Sequence, residues 1–392
     1  MRSTRPLDRL SRRCETLTQS EIRGMSIECE KVGGINLSQG VCDMDLPGVL
    51  VEAARTAIES GPNAYTRYDG IPELRAAIAD KLSRFNGINA DPEGGEIVVS
   101  AGSTGSFYSA CLALLDPGDE VVLFEPYYGY HAATIKAVGA VPSFVALKKE
   151  DGWRFSPEAL EAALTPKTKA VMINTPANPS GKVWTREQLS EVAQIAERRD
   201  LIVFTDEIYE YILYDGARHI SPASLPELKE RTVTISGYSK TYSITGWRIG
   251  YSVCRPEWAR MIGYMNDLVY VCAPAPLQKG VADAISALDD SFYANLSKEF
   301  ALKREKICAA LEDAGLPPYK PQGAYYALAD ISRLSGATGK DRCMQLLKSA
   351  GVAAVPGEAF FHRPEDGYGL ARFCYAKSEA DLDEACRRLR SL

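Results

Sequence analysis

Between residues 96 and 204 short, almost wholly apolar runs alternate with longer amphipathic stretches, and few architectures accommodate that order. The runs 97–100, 121–124, 143–146, 170–173 and 201–204 are rich in valine, isoleucine and phenylalanine and read as strands. The stretches 103–115, 129–138, a segment opened by Ser156-Pro157, and 185–199 have helical spacing. Strands that are apolar along their whole length are buried on both faces. The alternation therefore predicts an α/β fold: a mostly parallel sheet sandwiched by helices, with ligands bound in the crevice at the strands' carboxyl ends.

At 392 residues the chain exceeds the usual size of one compact domain, so a large domain with a smaller one is expected. Residues 1–47 read as an N-terminal arm that joins the small domain and covers the site. Residues 48–290 form the expected large domain, with helices at 48–60 and 71–86 flanking an aromatic loop at 65–70. Helical patterns follow at 256–269 and 276–288. A long helix at 291–314 then leads into a small α+β unit over 291–392, with strands at 324–328 and 370–375.

Composition narrows the class by exclusion. A net charge of −6 without a basic run or arginine-aromatic stripe argues against nucleic acid as a partner. No stretch reaches transmembrane length, and the basic Met1-Arg2-Ser3-Thr4-Arg5-Pro6 is followed by polar sequence, unlike a signal peptide. The ten cysteines include no Cys-x-x-Cys pair, so neither a zinc cluster nor a disulfide framework is indicated and a cytoplasmic location is expected. Three scattered histidines, 131, 219 and 362, make no metal site.

Polar residues cluster where the strands end. Strand 97–100 runs into Ala101-Gly102-Ser103-Thr104-Gly105 and a helix, where backbone N–H groups and two hydroxyls suit a phosphate, although Ser and Thr also cap helices routinely. Strand 121–124 ends in Glu125-Pro126-Tyr127-Tyr128-Gly129-Tyr130, where Tyr127 and Tyr130 read as packing residues. Strand 170–173 ends in Asn174-Thr175-Pro176-Ala177-Asn178-Pro179-Ser180-Gly181, a segment that turn chemistry alone accounts for. Strand 201–204 ends in Thr205-Asp206-Glu207-Ile208-Tyr209, so Asp206 either caps a helix or meets a buried positive group. Finally, Lys240 stands between the β-like runs 232–235 and 247–254, with Arg248 at the start of the second. Neither Gly-x-Gly-x-x-Gly nor a Walker lysine motif is present, so dinucleotides and nucleoside triphosphates lose their usual support.

Together these groups match pyridoxal 5′-phosphate: a lysine for the Schiff base, an aspartate for the pyridine nitrogen, an arginine for the phosphate. Ser-x-x-x-Lys-x-x-x-x-x-Gly-x-Arg-x-Gly over residues 236–250, Asn-Pro-Ser-Gly at 178–181 and Asp-Glu-x-Tyr at 206–209 resemble the fold type I enzymes of the aspartate aminotransferase superfamily, over essentially the whole chain. The resemblance implies a homodimeric aminotransferase moving an amino group between an amino acid and a 2-oxo acid by a ping-pong mechanism. It makes Lys240 the cofactor lysine and proton carrier, Asp206 the pyridinium partner, and Tyr209 and Asn178 the ligands of the phenolic oxygen. It makes Tyr128 the ring that stacks on the pyridine, and Ser103, Thr104, Arg248 and Ser239 phosphate ligands. Arg372 would clamp the substrate carboxylate, Gly40 would lie beside it, and Tyr65 would reach the neighbouring subunit's phosphate.

Two departures stand out. Gly237 replaces a serine found in many relatives, so one phosphate hydroxyl is absent or comes from Ser236 or Ser239; Val271 stands where the kynurenine aminotransferase and glutamine transaminase branch has a histidine. His219-Ile220-Ser221-Pro222-Ala223-Ser224-Leu225-Pro226 and Gly323-Ala324-Tyr325-Tyr326 resemble that branch, which points to neutral or aromatic donors, and residues 266–278 supply no arginine for a dicarboxylate. The same residues would serve a carbon-sulfur β-lyase, because the fold does not choose which bond breaks. Non-catalytic regulators of this fold usually carry an added DNA-binding domain, which is not expected here, and the residues matching the family's catalytic lysine and aspartate, Lys240 and Asp206, are intact.

Overall fold

A computed structural model describes residues 11, 14 and 19–392; the basic segment 1–6 and most of the first half of the arm lie outside the described residues. Helix α1 (Glu21–Lys31) is capped by the Ser20 hydroxyl and leads to β1 (Ile35–Asn36), then α2 (Gly48–Ser60) and α3 (Pro72–Lys81). The alternation follows as β2 (Ile97–Ala101), α4 (Gly102–Leu114), β3 (Glu120–Glu125), α5 (Gly129–Ala137), β4 (Val141–Ala146), α6 (Pro157–Ala163), β5 (Thr168–Asn174), α7 (Arg186–Arg198) and β6 (Ile202–Asp206). After α8 (Pro226–Lys229) come β7 (Thr232–Gly237) and β8 (Ile249–Val253), then α9 (Pro256–Tyr270), α10 (Ala275–Ala287) and α11 (Asp290–Asp313). The chain closes with β9 (Pro318–Tyr319), β10 (Tyr326–Asp330), α12 (Gly339–Ala350), β11 (Val352–Ala353), β12 (Val355–Pro356), β13 (Leu370–Cys374) and α13 (Glu379–Leu389).

The architecture is the α/β sandwich that the alternation predicts. Seven strands form one sheet in the order β2-β8-β7-β6-β5-β3-β4, parallel except for β8, which runs against β2 and β7. Two arithmetical consequences follow from that topology. The carboxyl ends of β2, β3, β5, β6 and β7 share one edge, and the antiparallel β8 begins at that same edge, immediately after Arg248. Lys240 and Arg248 therefore leave and re-enter the sheet on the side where Asn174 and Asp206 end their strands.

A second, antiparallel sheet has the order β12-β13-β10-β9, and β1 pairs in parallel with β11 through Ile35 and Val352. Arg372 lies in the interior strand β13, opposite Leu328 and Val355, and is 1% exposed. An isolated arginine in a strand pattern more often marks an edge; this one is in the middle of its sheet.

The helix read over residues 71–86 is α3 continued by one wide π-turn, Leu82–Asn86. That turn brings Lys81 and Asn86 onto a buried acidic pair behind Asp206. Lys81 Nζ donates to Glu210 Oε1 at 2.5 Å and Asn86 Nδ2 to Glu210 Oε2 at 2.8 Å. Glu207 accepts from the hydroxyls of Thr205 and Ser221 at 2.7 and 2.8 Å and sits 2.7 Å from His219 Nε2. Glu207, Glu210 and His219 converge within 4.8 Å, and the Lys81 ammonium supplies the cation there. Removing one member of such a buried pair costs roughly 3–5 kcal/mol, because the other charge is left without compensation.

Candidate active site

Of the residues singled out by the sequence, all but Tyr65 line one cavity of about 330 Å³ at the shared strand edge. Four separate pieces of local structure converge on it.

The first is an anion cradle. Helix α4 starts directly from β2, so its free N–H groups and positive dipole end face the cavity together with Ser103 and Thr104. Gly102 has φ +74°, and a Cβ there would meet Arg248 Nη2 at 2.5 Å, so only glycine lets the guanidinium approach the helix end. Arg248 itself has φ +59°, a left-handed backbone that costs a non-glycine residue of order 1–3 kcal/mol. Its Nη1 donates to the Thr245 carbonyl at 2.8 Å, which holds the head in place. The two candidate serines differ in side-chain direction. Ser236 turns away and donates to Glu210 Oε1 at 2.9 Å, whereas Ser239 lines the cavity. Gly237 is pinned against β8, where a Cβ would lie 2.9 Å from Gly250 Cα.

The second piece is a carboxylate at the opposite end. Asp206 is 8% exposed, accepts from the Ile208 N–H at 3.2 Å, and lies 3.0 Å from His131 Nε2. It caps a turn, not a helix, and lines the cavity. His131 belongs to no motif that marks it as a site residue. Its signal is the spacing to Tyr128: residues three apart at the start of α5 share a face, and their rings meet edge to face at 5.2 Å and 88°. Tyr130 corrects its assignment as a packing residue, since it is 45% exposed, stacks on Tyr128 at 5.3 Å and lines the cavity mouth. Tyr127 does pack, against Phe144.

The third piece is the clamp. Arg372 Nη1 donates to Asn178 Oδ1 at 2.8 Å and Nη2 to the Ser38 carbonyl at 2.6 Å, while its buried Nε has no hydrogen-bond partner among the described residues. Asn178 is held in turn by its own N–H, which donates to Asn174 Oδ1 at 2.7 Å. Because Asn178 Oδ1 is engaged, its amide NH2 is the group left for a ligand.

The last piece is Lys240. Its Nζ donates to the Gly40 carbonyl at 3.0 Å, and the same carbonyl accepts from the Tyr325 hydroxyl at 3.1 Å. Burial, with Arg372 and Arg248 nearby, pulls the ammonium down to about 8. Burial likewise pushes the phenols of Tyr209 and Tyr128 well above their ordinary value, so both stay protonated as donors.

Tyr65 stands apart. It is 84% exposed and absent from the cavity. Its loop lies against α9, where Tyr68 meets Tyr264 edge to face at 5.4 Å.

A cradle for an anion, a carboxylate for a cationic ring nitrogen, an aromatic face between them and a lysine of lowered basicity define a pyridoxal-phosphate site. The donor set fits both ends of that cofactor. Comparison with known proteins gives the same class. The family described as aminotransferase class I and II matches residues 32–389, and the chain belongs to it. Kynurenine–oxoglutarate transaminase 3 of Rattus norvegicus is 35% identical over 379 residues, covering 90% of this chain and 83% of the relative. Aromatic-amino-acid aminotransferase 2 of Thermococcus litoralis is 36% identical, with 97% of each chain covered. The solved N-succinyldiaminopimelate aminotransferase of Mycobacterium tuberculosis superposes with a TM-score of 0.93 at 34% identity, covering 97% of this chain and 99% of that one. The protein is a pyridoxal-phosphate-dependent aminotransferase of fold type I.

Proposed function

We infer that the amino donor is a neutral or aromatic L-amino acid and the acceptor a 2-oxo acid, handled alternately at one site. The observation that carries this is the distribution of charge. Among the described residues the cavity has three cationic side chains, Lys240, Arg248 and Arg372, and each has a task; the mouth is lined by Ile22, Val41 and Tyr130. A second substrate carboxylate would find no cation there. The relatives' names range over kynurenine, aromatic amino acids and N-succinyldiaminopimelate at similar identity, so likeness alone selects no donor.

Pyridoxal phosphate, when bound, supplies an electrophilic carbon and a ring that withdraws electrons from the bonds at the substrate Cα. The chain's residues do the rest. Arg248, Ser103, Thr104 and Ser239 would hold its phosphate at the α4 terminus. Asp206, steadied by His131, would present negative charge to its ring nitrogen. Tyr209 and the Asn178 amide would donate to its phenolic oxygen, and Tyr128 would cover its ring. Arg372 takes the α-carboxylate with its planar fork, Gly40 lies beside it, and Lys240 Nζ, unprotonated in useful amount near neutrality, carries the Cα proton.

A screen of donors and acceptors on the purified enzyme, followed by the absorbance change between pyridoxal and pyridoxamine forms, tests the substrate class. Leucine-like, methionine-like and aromatic donors are expected to convert the cofactor faster than aspartate or glutamate. Preference for a dicarboxylate would overturn it. Pyruvate and ammonia released from a cysteine conjugate without any 2-oxo acid would establish the β-lyase reading instead.

The active unit is proposed to be a homodimer. Leu268 is 80% exposed and Met261, Tyr264, Val269 and Val271 are also exposed, all on or just after α9 beside the Tyr65 loop. An apolar patch of this kind, next to an aromatic that points away from its own cavity, suits a second copy whose site receives Tyr65. Leu268→Glu is expected to sediment as a monomer with reduced cofactor retention; an unchanged dimer would refute this face. The division into arm, large domain and small domain at residues 47 and 290 is likewise a proposal, supported by membership of the two main sheets. So is a cytoplasmic location, on the ground that all ten cysteines are free. No helix of the described residues is long and apolar enough to cross a membrane.

A further inference from the structure

We propose that Tyr326 is a positioning residue that strengthens the cofactor-facing hydroxyl of Tyr209 while its ring seats the Arg372 guanidinium, tying cofactor electronics to the carboxylate clamp. Tyr326 opens β10, the neighbour of β13, and so reaches the site from the second sheet. Its hydroxyl lies 3.0 Å from that of Tyr209, and its ring centroid lies 4.2 Å from Arg372 Cζ. The side chain is 2% exposed, and Gly40 approaches the hydroxyl so closely that a Cβ there would overlap it. Tyr325 adds a ring contact at 4.8 Å. The phenol is packed among Arg372, Gly40, Tyr209 and Tyr325, with its oxygen 3.0 Å from that of Tyr209.

Either hydroxyl of the pair can donate. When the Tyr209 O–H donates its hydrogen bond to the phenolic oxygen of the cofactor, its own oxygen is left to accept, and Tyr326 becomes the donor. Hydrogen bonds in series polarise one another in a low-dielectric interior, so Tyr209 donates better with Tyr326 behind it than without. A stronger donor at the phenolic oxygen favours its anionic form and lowers the pH at which the cofactor-bound lysine loses its proton. The ring does a second, separable thing: it lies against the planar Arg372 head and keeps the fork oriented toward the cavity.

The inference rests on the assignment of Tyr209 to the phenolic oxygen. Its test is a pH titration of the visible absorbance of the substrate-free holoenzyme, with KM for the best amino donor measured alongside. Tyr326→Phe keeps the ring and removes one oxygen. Its titration midpoint is expected to rise by about half to one pH unit, in the same direction as Tyr209→Phe but less, with KM within about twofold of wild type. Tyr326→Leu removes the ring as well and is expected to add a rise in KM of about two- to thirtyfold. The Phe variant preserves volume, so its result stands even if the Leu variant does not fold. An unmoved midpoint in Tyr326→Phe beside a shifted Tyr209→Phe overturns the proposal and leaves the Tyr209 assignment intact. An unmoved midpoint in Tyr209→Phe removes the assignment and the proposal with it.

Discussion

Lys240→Ala is expected to lose transamination by at least about 10⁴-fold, because it removes both the covalent attachment of the cofactor and the group that moves the Cα proton. The fold should survive the change. Lys240 Nζ donates to the Gly40 carbonyl, which keeps the Tyr325 hydroxyl as a partner when the lysine is removed. Full activity in this variant would sink the reading of the site. The lowered basicity of Lys240 adds a prediction with a definite sign. Only the neutral amine attacks an aldehyde, and an ammonium titrating at about 8 leaves about a tenth neutral at pH 7, against roughly 1 in 3,000 for an ordinary lysine. The rate at which apoprotein captures pyridoxal phosphate should therefore climb through pH 7 to 8.5 and level off above it. A rate that keeps climbing tenfold per pH unit beyond 9.5 would show that burial does not depress this lysine.

Arg372→Ala is expected to lower kcat/KM for amino acids by about 2–5 kcal/mol, or roughly 30- to 4,000-fold, the range for truncating one partner of a buried, hydrogen-bonded charge pair. Arg372→Lys should recover little, since an ammonium cannot reproduce the two-pronged geometry that engages Asn178 and Ser38. The diagnostic comparison is between an amino acid and its decarboxylated amine. Wild type should strongly prefer the amino acid, and the variant should lose most of that preference by losing the amino acid's advantage alone. Equal losses on both would mean that Arg372 only supports the fold.

Much of this site is legible in the chain because its pieces are short and local. A strand end, a turn and a polar residue are adjacent in sequence, and parallel strands bring such ends to one edge; Asp206, Asn178, Lys240 and the Ser103-Thr104 pair are all found in that way. His131 escapes because a single histidine three residues after Tyr128 has no pattern of its own; it matters through a contact with Asp206, 75 residues away. Tyr130 escapes for the opposite reason. An aromatic after a strand reads as core, and only its exposure at the mouth shows otherwise.

Composition and order along the chain determine the class of fold and the edge at which a ligand binds, because these depend on periodicities of two and 3.6 and on residues near one another in sequence, while the roles proposed for the groups at that edge come from the resemblance of their motifs. The tertiary structure decides what depends on distance across the chain. It sets Arg372 against Asn178, 194 residues away, and Tyr326 against Tyr209, 117 residues away. It also turns Ser236 toward Glu210 and Ser239 toward the cavity, because Ser239 lies in the turn beyond β7, where strand alternation no longer sets side-chain direction.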